Sequence, residues 1–259
     1  MKLTFAGTGS AFCMAADNFQ SNMVLETTPS GEDRPQRLLI DCGSDARHSL
    51  RNLGFMPNDF DGVYISHLHS DHIGGLEWMA LANYFVFDGH RTQLFAAREL
   101  LDPLWEHSLR GGLETSDHGN SKLSSYFDVV PLTPKDGFDW QGMHFDVIPT
   151  PHVVTPENTM YSFALFGTGT EKSFFLTTDA IFNPKDHMAF YKKADIIFQD
   201  CELGPRHSGV HAHYDELISL PDDVKAKMWL YHYQAYDKPD AVADGFCGFI
   251  DPEQSFDLG

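Results

Sequence analysis

The sequence predicts an α/β fold of stacked β-sheets flanked by helices, and three observations predict it. Short apolar runs recur along the chain, each bounded by Gly, Pro, Asp or Ser, which is the pattern of strands and turns. Longer stretches with helical spacing separate some of these runs. The strands arrive in consecutive groups with helices between the groups, which favours stacked sheets over a regular alternating β-α repeat. In chain order, residues 3–6 stop at Gly7, residues 23–26 follow Ser21-Asn22, and residues 38–40 end at Asp41. A helical stretch at 45–53 leads to the run 63–65, and further helical stretches lie at 76–87 and 98–108. The second group comprises 145–148 before Pro149, 161–166 before Gly167, 174–176 after Ser173, and 196–198 after Asp195. A helical stretch at 215–225 precedes the last run, 228–231.

Residues 83–127 stand apart. The aromatic run Tyr84-Phe85-Val86-Phe87, a helix near 100–109 and the Gly- and Ser-rich segment 111–125 read as a helical insertion that ends in a mobile loop. Its four basic and six acidic residues make it no RNA-grasping arm. The aromatic run is either packed on the outer helices or covered by a second copy of the chain.

At 259 residues and 42% hydrophobic, the chain is long and apolar enough for one domain spanning 1–259, and disorder is excluded. The formal charge of −19 excludes a general field for a long nucleic acid. Four cysteines without a CxxC pair read as free thiols rather than a zinc knuckle. No apolar run reaches the roughly 18 residues that span a membrane. The N-terminal residues lack the apolar core and cleavage site of a signal peptide, so the cytoplasm is the expected compartment.

The chemistry concentrates after the run 63–65, in Ser66-His67-Leu68-His69-Ser70-Asp71-His72-Ile73-Gly74-Gly75. Alternation puts His67 and His69 on one side of the chain, where two imidazoles can share a metal. Asp71 and His72, past the turn, can reach a second. Imidazole with carboxylate suits zinc, manganese or iron. Gly74-Gly75 lets the backbone turn into the following helix.

His-x-His-x-Asp-His after a strand resembles the signature of the metallo-β-lactamase superfamily, an αββα sandwich of two sheets with helices outside. The resemblance implies the rest of a ligand set. His152 in Pro149-Thr150-Pro151-His152 matches a third ligand of the first metal, Asp179 in Thr177-Thr178-Asp179 a bridging carboxylate, and His232 after 228–231 the last ligand of the second. Two divalent metals, zinc first and manganese as the alternative, are the implied cofactors. Metal one would take His67, His69, His152 and Asp179; metal two would take Asp71, His72, Asp179 and His232. Two dications less two carboxylates leave a positive pocket that binds and attacks anions, so a phosphate needs no surface charge.

Gly7-Thr8-Gly9-Ser10 and Leu39-Ile40-Asp41-Cys42-Gly43 are similar to the tRNA 3′-processing nuclease branch and its phosphodiesterase relatives. There Asp41 would support the metal-site loops. A histidine on the loop before a late helix donates a proton to the leaving oxygen in that branch, which His211 or His213 matches. The family's Ser-Thr after it is replaced by Ala212-His213, so both remain candidates, with His211 preferred. Asp200 at the preceding strand end is the matching acidic partner, and Glu202 a second candidate. With these, the catalytic set is His211, Asp200 and the ligand Asp71. His48, His107, His118, His144 and His207 read as structural or surface residues.

The motifs Gly7–Phe12 in sequence Gly-Thr-Gly-Ser-Ala-Phe, His152-Val153-Val154, residues 208–217 with Leu220-Pro221, and residues 228–234 most resemble the anti-Pycsar phosphodiesterases. The resemblance implies a homodimeric phage or bacterial enzyme that opens 3′,5′-cyclic mononucleotides, such as cyclic CMP, cyclic UMP or their purine counterparts, to 5′-monophosphates. The alternatives are a tRNA 3′-processing-type nuclease, a general phosphodiesterase, and a non-catalytic cyclic-nucleotide sponge. A sponge has no need of a metal pair.

Overall fold

The computed structural model describes residues 1–29, 31, 33–116, 119–169 and 171–259. The chain opens with β1 (Lys2–Phe5), β2 (Met23–Thr27) and β3 (Gln36–Ile40), paired antiparallel in succession. Helix α1 (Ala46–Asn52) carries it to β4 (Gly62–Ile65), parallel to β3. Helices α2 (Ser70–Ile73) and α3 (Leu76–Phe85) precede β5 (Thr92–Ala97), parallel to β4. Next come α4 (Arg98–Leu104), α5 (Arg110–Leu113), the two-residue partners β6 (Thr115–Ser116) and β7 (Gly119–Asn120), and α6 (Leu123–Tyr126). They lead to β8 (Phe127–Leu132), parallel to β5. The second sheet begins with β9 (Phe138–Trp140), β10 (Met143–Val154) and β11 (Thr159–Thr168). It continues through β12 (Ser173–Leu176), α7 (Pro184–Lys193), β13 (Ile196–Asp200), α8 (Tyr214–Leu217) and α9 (Asp222–Lys225). The chain ends with β14 (Met228–Tyr231), β15 (Gly248–Phe249) and β16 (Ser255–Asp257).

Among the described residues these strands form two seven-stranded sheets, ordered β16-β1-β2-β3-β4-β5-β8 and β15-β14-β13-β12-β11-β10-β9. Strand alternation explains the layering. Leu38 and Ile40 of β3, Phe174 and Leu176 of β12, and Phe198 of β13 meet in one core between the sheets. Leu39 packs outward with Leu50 of α1 and Met79 of α3, while Phe175 and Ile197 pack outward with Tyr191 of α7 and Val224 of α9. Strands buried on both faces need helices on both flanks, which is the αββα sandwich the sequence predicts.

Several boundaries differ from the sequence reading. The excursion predicted at 83–127 does contain helices, but β5 runs through its first half as an inner strand of the sheet. The segment 111–125, read as a mobile loop, carries most of α5 and all of α6 but its last residue. Pro103 inside α4 removes a helical donor, and the chain continues through a wider turn at Trp105–Leu109. Tyr84 packs on Tyr126 at 5.5 Å, whereas Phe85 and Val86 stay exposed at 58% and 67%. Helix 215–225 is split by Pro221 into α8 and α9. Strand β10 does not stop at Pro149; it runs on to Val154 because β9 pairs only with its first residues, so the missing proline N–H groups cost no ladder bond on that side. Among the described residues no helix is long and apolar enough to cross a membrane.

Candidate metal centre

The strand ends of both sheets deliver the polar residues. Asp41 follows β3, Ser66 and His67 follow β4, Asp179 lies past the end of β12, Asp200 ends β13, and His232 follows β14. Three of these turns place non-glycine residues in the left-handed region, Asp41 at φ 61°, Thr178 at 52° and His232 at 61°. Such backbone costs roughly 1–3 kcal/mol per residue and persists where surrounding contacts impose it, commonly at functional sites. His152 does not follow its strand as the sequence suggested. It sits inside β10 at a register shift between Pro151 and Val153, and the bulge re-aims its side chain into the cluster.

Two groups of donors converge. His69 Nδ1 lies 3.1 Å from both His67 Nε2 and His152 Nε2, and Asp179 Oδ2 lies 3.7 Å from each of those two. In the second group, His72 Nε2 is 3.3 Å from Asp71 Oδ2 and from Asp179 Oδ2. His232 Nε2 is 3.3 Å from Asp71 Oδ2 and from Asp179 Oδ1. A tetrahedron with metal–ligand bonds of about 2.0–2.1 Å has edges of about 3.3–3.4 Å; the second group's 3.3 Å distances match it, and the first group's 3.1 and 3.7 Å distances fall on either side of it.

Hydrogen bonds on the far side of the rings agree. His152 Nδ1–H donates to the Val210 carbonyl at 2.8 Å and His72 Nδ1–H to Asp41 Oδ2 at 2.7 Å. The Ser66 hydroxyl donates to Asp41 Oδ2 at 2.8 Å and so accepts from His67 Nδ1–H at 3.0 Å. In its neutral form each of the three rings therefore presents an unprotonated Nε2 to the cluster. His72 Nε2 and Asp179 Oδ1 are buried there without a hydrogen-bond partner among the described residues.

Electrostatics point the same way. Every ion pair made among the described residues by Asp41, Asp71, Asp179 and Asp200 is to a histidine, never to Lys or Arg. Burial depresses His67 well below the usual imidazole range and pushes His152 down to about 4, which favours neutral ligands. Burial would depress His72 too, but Asp179, Asp41 and Asp71 outweigh it and hold its pKa well above the ordinary value. Asp179 resists the upward push of burial through His232 and His72 and stays ionised. Buried negative charge of this kind is satisfied by cations, and the cluster has the donor set that could hold a divalent metal ion.

The His211–Asp200 pair adjoins it. His211 Nδ1–H donates to Asp200 Oδ2 at 3.0 Å and lies 3.9 Å from Asp179 Oδ2. Gln199 Nε2 at 2.9 Å, Ala180 N at 3.2 Å and Thr177 Oγ1 at 3.4 Å also donate to Asp200. Burial opposes the charged ring, yet the Asp200 hydrogen bond and the Asp179 charge raise His211 to about 9. His213 is used elsewhere: its Nδ1 accepts from Asp215 N at 3.2 Å to cap α8, and its Nε2–H donates to the Gly204 carbonyl at 2.9 Å. Glu202 accepts from Ser208 N at 2.8 Å and pairs through its backbone with His213, while its charge also helps to raise His211.

His48, His107 and His207 are exposed, and half-exposed His144 pairs with Asp139 at 2.8 Å; His118 lies outside the described residues. Sequence reasoning missed Ser66, whose place directly before the motif was the one available signal, and the Val210 carbonyl, which had none. A cavity of about 580 Å³ lies between α4 and α6 beside Trp105 and Lys122, and none of the cluster lines it. Convergent donors, not cavity size, locate the site.

A family model described as anti-Pycsar protein Apyc1 matches residues 1–256. The anti-Pycsar protein Apyc1 of Paenibacillus harenae is 36% identical over 263 residues, covering 100% of both chains. That of Bacillus phage vB_BveM-Goe7 is 36% identical over 244 residues, covering 90% of this chain and 88% of its own. Among solved structures, the metallo-beta-lactamase fold protein YhfI from Bacillus subtilis superposes with a TM-score of 0.74 at 18% identity, covering 98% of each chain. A diphosphatase of the PhnP family gives 0.73 at 18% identity, covering 100% of this chain and 98% of its own. The short form of human tRNase Z gives 0.68 at 15%, covering 100% of both. These structures share the fold.

Proposed function

The chain belongs to the anti-Pycsar Apyc1 family, and from that premise we propose that it is a metal-dependent phosphodiesterase that opens 3′,5′-cyclic mononucleotides to 5′-monophosphates. In doing so it removes the signal of a cyclic-nucleotide antiphage defence in the cytoplasm. The observation that carries the reading is the pair of donor groups sharing Asp179 beside the His211–Asp200 pair. Hydrolysis uses both parts, whereas a binding module uses neither.

In this reading His67, His69, His152 and Asp179 hold one divalent ion and Asp71, His72, Asp179 and His232 the other, with zinc first and manganese second. When bound, such ions neutralise the phosphate and activate a water. Asp179 holds the two ligand groups in register through its two oxygens. Asp41 and Ser66 keep His72 and His67 in the binding tautomer. Asp200 takes the Nδ1–H of His211, which leaves the opposite ring nitrogen to deliver a proton to the departing 3′-oxygen. An alkoxide leaving group needs that proton, so this step lowers the barrier at P–O cleavage. Nearby dications would bring the raised pKa of His211 down toward neutrality, where an acid both holds and releases its proton. The chain pairs as a homodimer, and exposed Phe85 and Val86 at the end of α3 support an apolar surface for it.

The purified chain is incubated with cyclic CMP, cyclic UMP, cyclic AMP and a precursor tRNA, with and without a chelator. Chelator-sensitive release of 5′-monophosphates is expected. Cleavage of the tRNA with intact cyclic nucleotides would replace this reading by a nuclease, and binding without turnover by a sponge.

A further inference from the structure

Beyond His232 the chain turns tightly, with Tyr236 N–H bonded to the Gln234 carbonyl at 2.8 Å. The Gln234 amide oxygen accepts from Leu203 N at 2.7 Å, which ties this turn to the segment leading to His211. Gly204 follows at φ +109°, and a Cβ there would lie 2.6–3.1 Å from three ring atoms of Tyr236. Only a glycine satisfies both the backbone angle and the close approach, so the ring lies against bare main chain. The Gly204 carbonyl is itself fixed by His213 Nε2–H at 2.9 Å. The ring is therefore held on one side while Tyr236 remains 54% exposed. A cavity of about 180 Å³ opens between Tyr236, Gln234, Tyr233 and the loop carrying Cys13 and Asn18. Tyr236 stands four residues after His232, so chain length alone keeps its Cα within about 14 Å of that histidine, and the turn brings it closer.

A large aromatic side chain fixed by its backing and left open toward a cavity is a surface made for a flat partner. We infer that Tyr236 is the stacking platform for the substrate's nucleobase, an inference that rests on the cyclic-nucleotide reading above. The formal charge of −19 strengthens it. An acidic protein that engages phosphate at a metal site must hold the rest of the nucleotide by contacts that need no positive surface. Stacking is such a contact and tolerates every base, because each has a π-face.

The test compares wild type, Tyr236→Ala and Tyr236→Phe on cyclic CMP and on a base-free methyl riboside 3′,5′-cyclic phosphate, with phosphate-containing products resolved by chromatography. Tyr236→Ala should raise KM for cyclic CMP about 5- to 150-fold, the factor to which 1–3 kcal/mol of base–aromatic stacking converts, with kcat little changed. KM for the base-free diester should stay put, and Tyr236→Phe should behave like wild type. Equal KM shifts on both substrates, no shift on cyclic CMP, or a Phe variant as impaired as Ala would overturn the platform alone. Wild type that leaves cyclic CMP intact would overturn the functional reading and this inference with it.

Discussion

Asp41→Asn is the sharpest probe of how the protein prepares the proposed metal ligands. Both carboxylate oxygens of Asp41 accept from fixed donors: Oδ1 from Ser66 N at 2.8 Å, and Oδ2 from the Ser66 hydroxyl at 2.8 Å and His72 Nδ1–H at 2.7 Å. Asparagine keeps the shape and tolerates the φ of 61°, so the turn after β3 survives. Its NH2 group cannot face the Ser66 backbone N–H and must take the Oδ2 position. There it meets His72 Nδ1–H, donor against donor. The clash is relieved only if His72 moves its proton to Nε2, the atom 3.3 Å from both Asp71 and Asp179. The Ser66 hydroxyl must turn as well and donate to His67 Nδ1, which drives the His67 proton to Nε2. One ligand in each donor group is then in a tautomer that cannot bind. Loss of an outer hydrogen-bond partner of a metal ligand costs about 10- to 100-fold in affinity, or roughly 1.4–2.7 kcal/mol per ion. Calorimetric zinc titration of the chelator-stripped protein, with circular dichroism to confirm the fold, should show that loss. A folded Asp41→Asn protein with wild-type zinc affinity would refute the argument.

Asp179→Ala removes the carboxylate shared by both donor groups, so elemental analysis should find metal lost from both together with activity; retention of either metal at wild-type occupancy counts against a shared ligand. His211→Ala should leave metal content intact and lower turnover of cyclic nucleotides roughly 10²- to 10⁴-fold. The loss should shrink on a nitrophenyl phosphodiester, whose leaving group needs no proton, and an equal loss on both substrates would assign His211 to binding. Burial pushes His187, packed on Phe175 at 5.4 Å, down to about 4. Its contribution is whole above the unfolded value of about 6.5 and drains away as pH falls toward 4, because the unfolded chain binds the proton first. The stability gap between wild type and His187→Gln should therefore narrow by about 3 kcal/mol between pH 7 and pH 4 in denaturant titrations, and a constant gap would contradict a neutral buried ring. Light scattering at micromolar concentration should report about twice the 29.1 kDa chain mass, and the chain mass itself would rule out the dimer.

The sequence by itself determined what is local. His67, His69, Asp71 and His72 lie within six residues, so strand alternation and one turn suffice to bring them together, and apolar runs with helical stretches suffice for the class of fold. Family resemblance placed His152, Asp179 and His232 beside them. Tertiary structure decided what depends on partners far along the chain. Thr92–Ala97 is too short to be told from the helical pattern it adjoins until β4 and β8 flank it. Helix α7 is polar enough to look like a loop, and it forms because Asn183 caps it, Pro184 opens it and Tyr191 is buried. His152 needed a bulge that only the register with β11 creates. The Gly204 carbonyl and Asp200 give His213 and His211 different surroundings. Two histidines separated by one residue are equivalent in sequence, and they become different only when folding assigns each ring its hydrogen-bond partner.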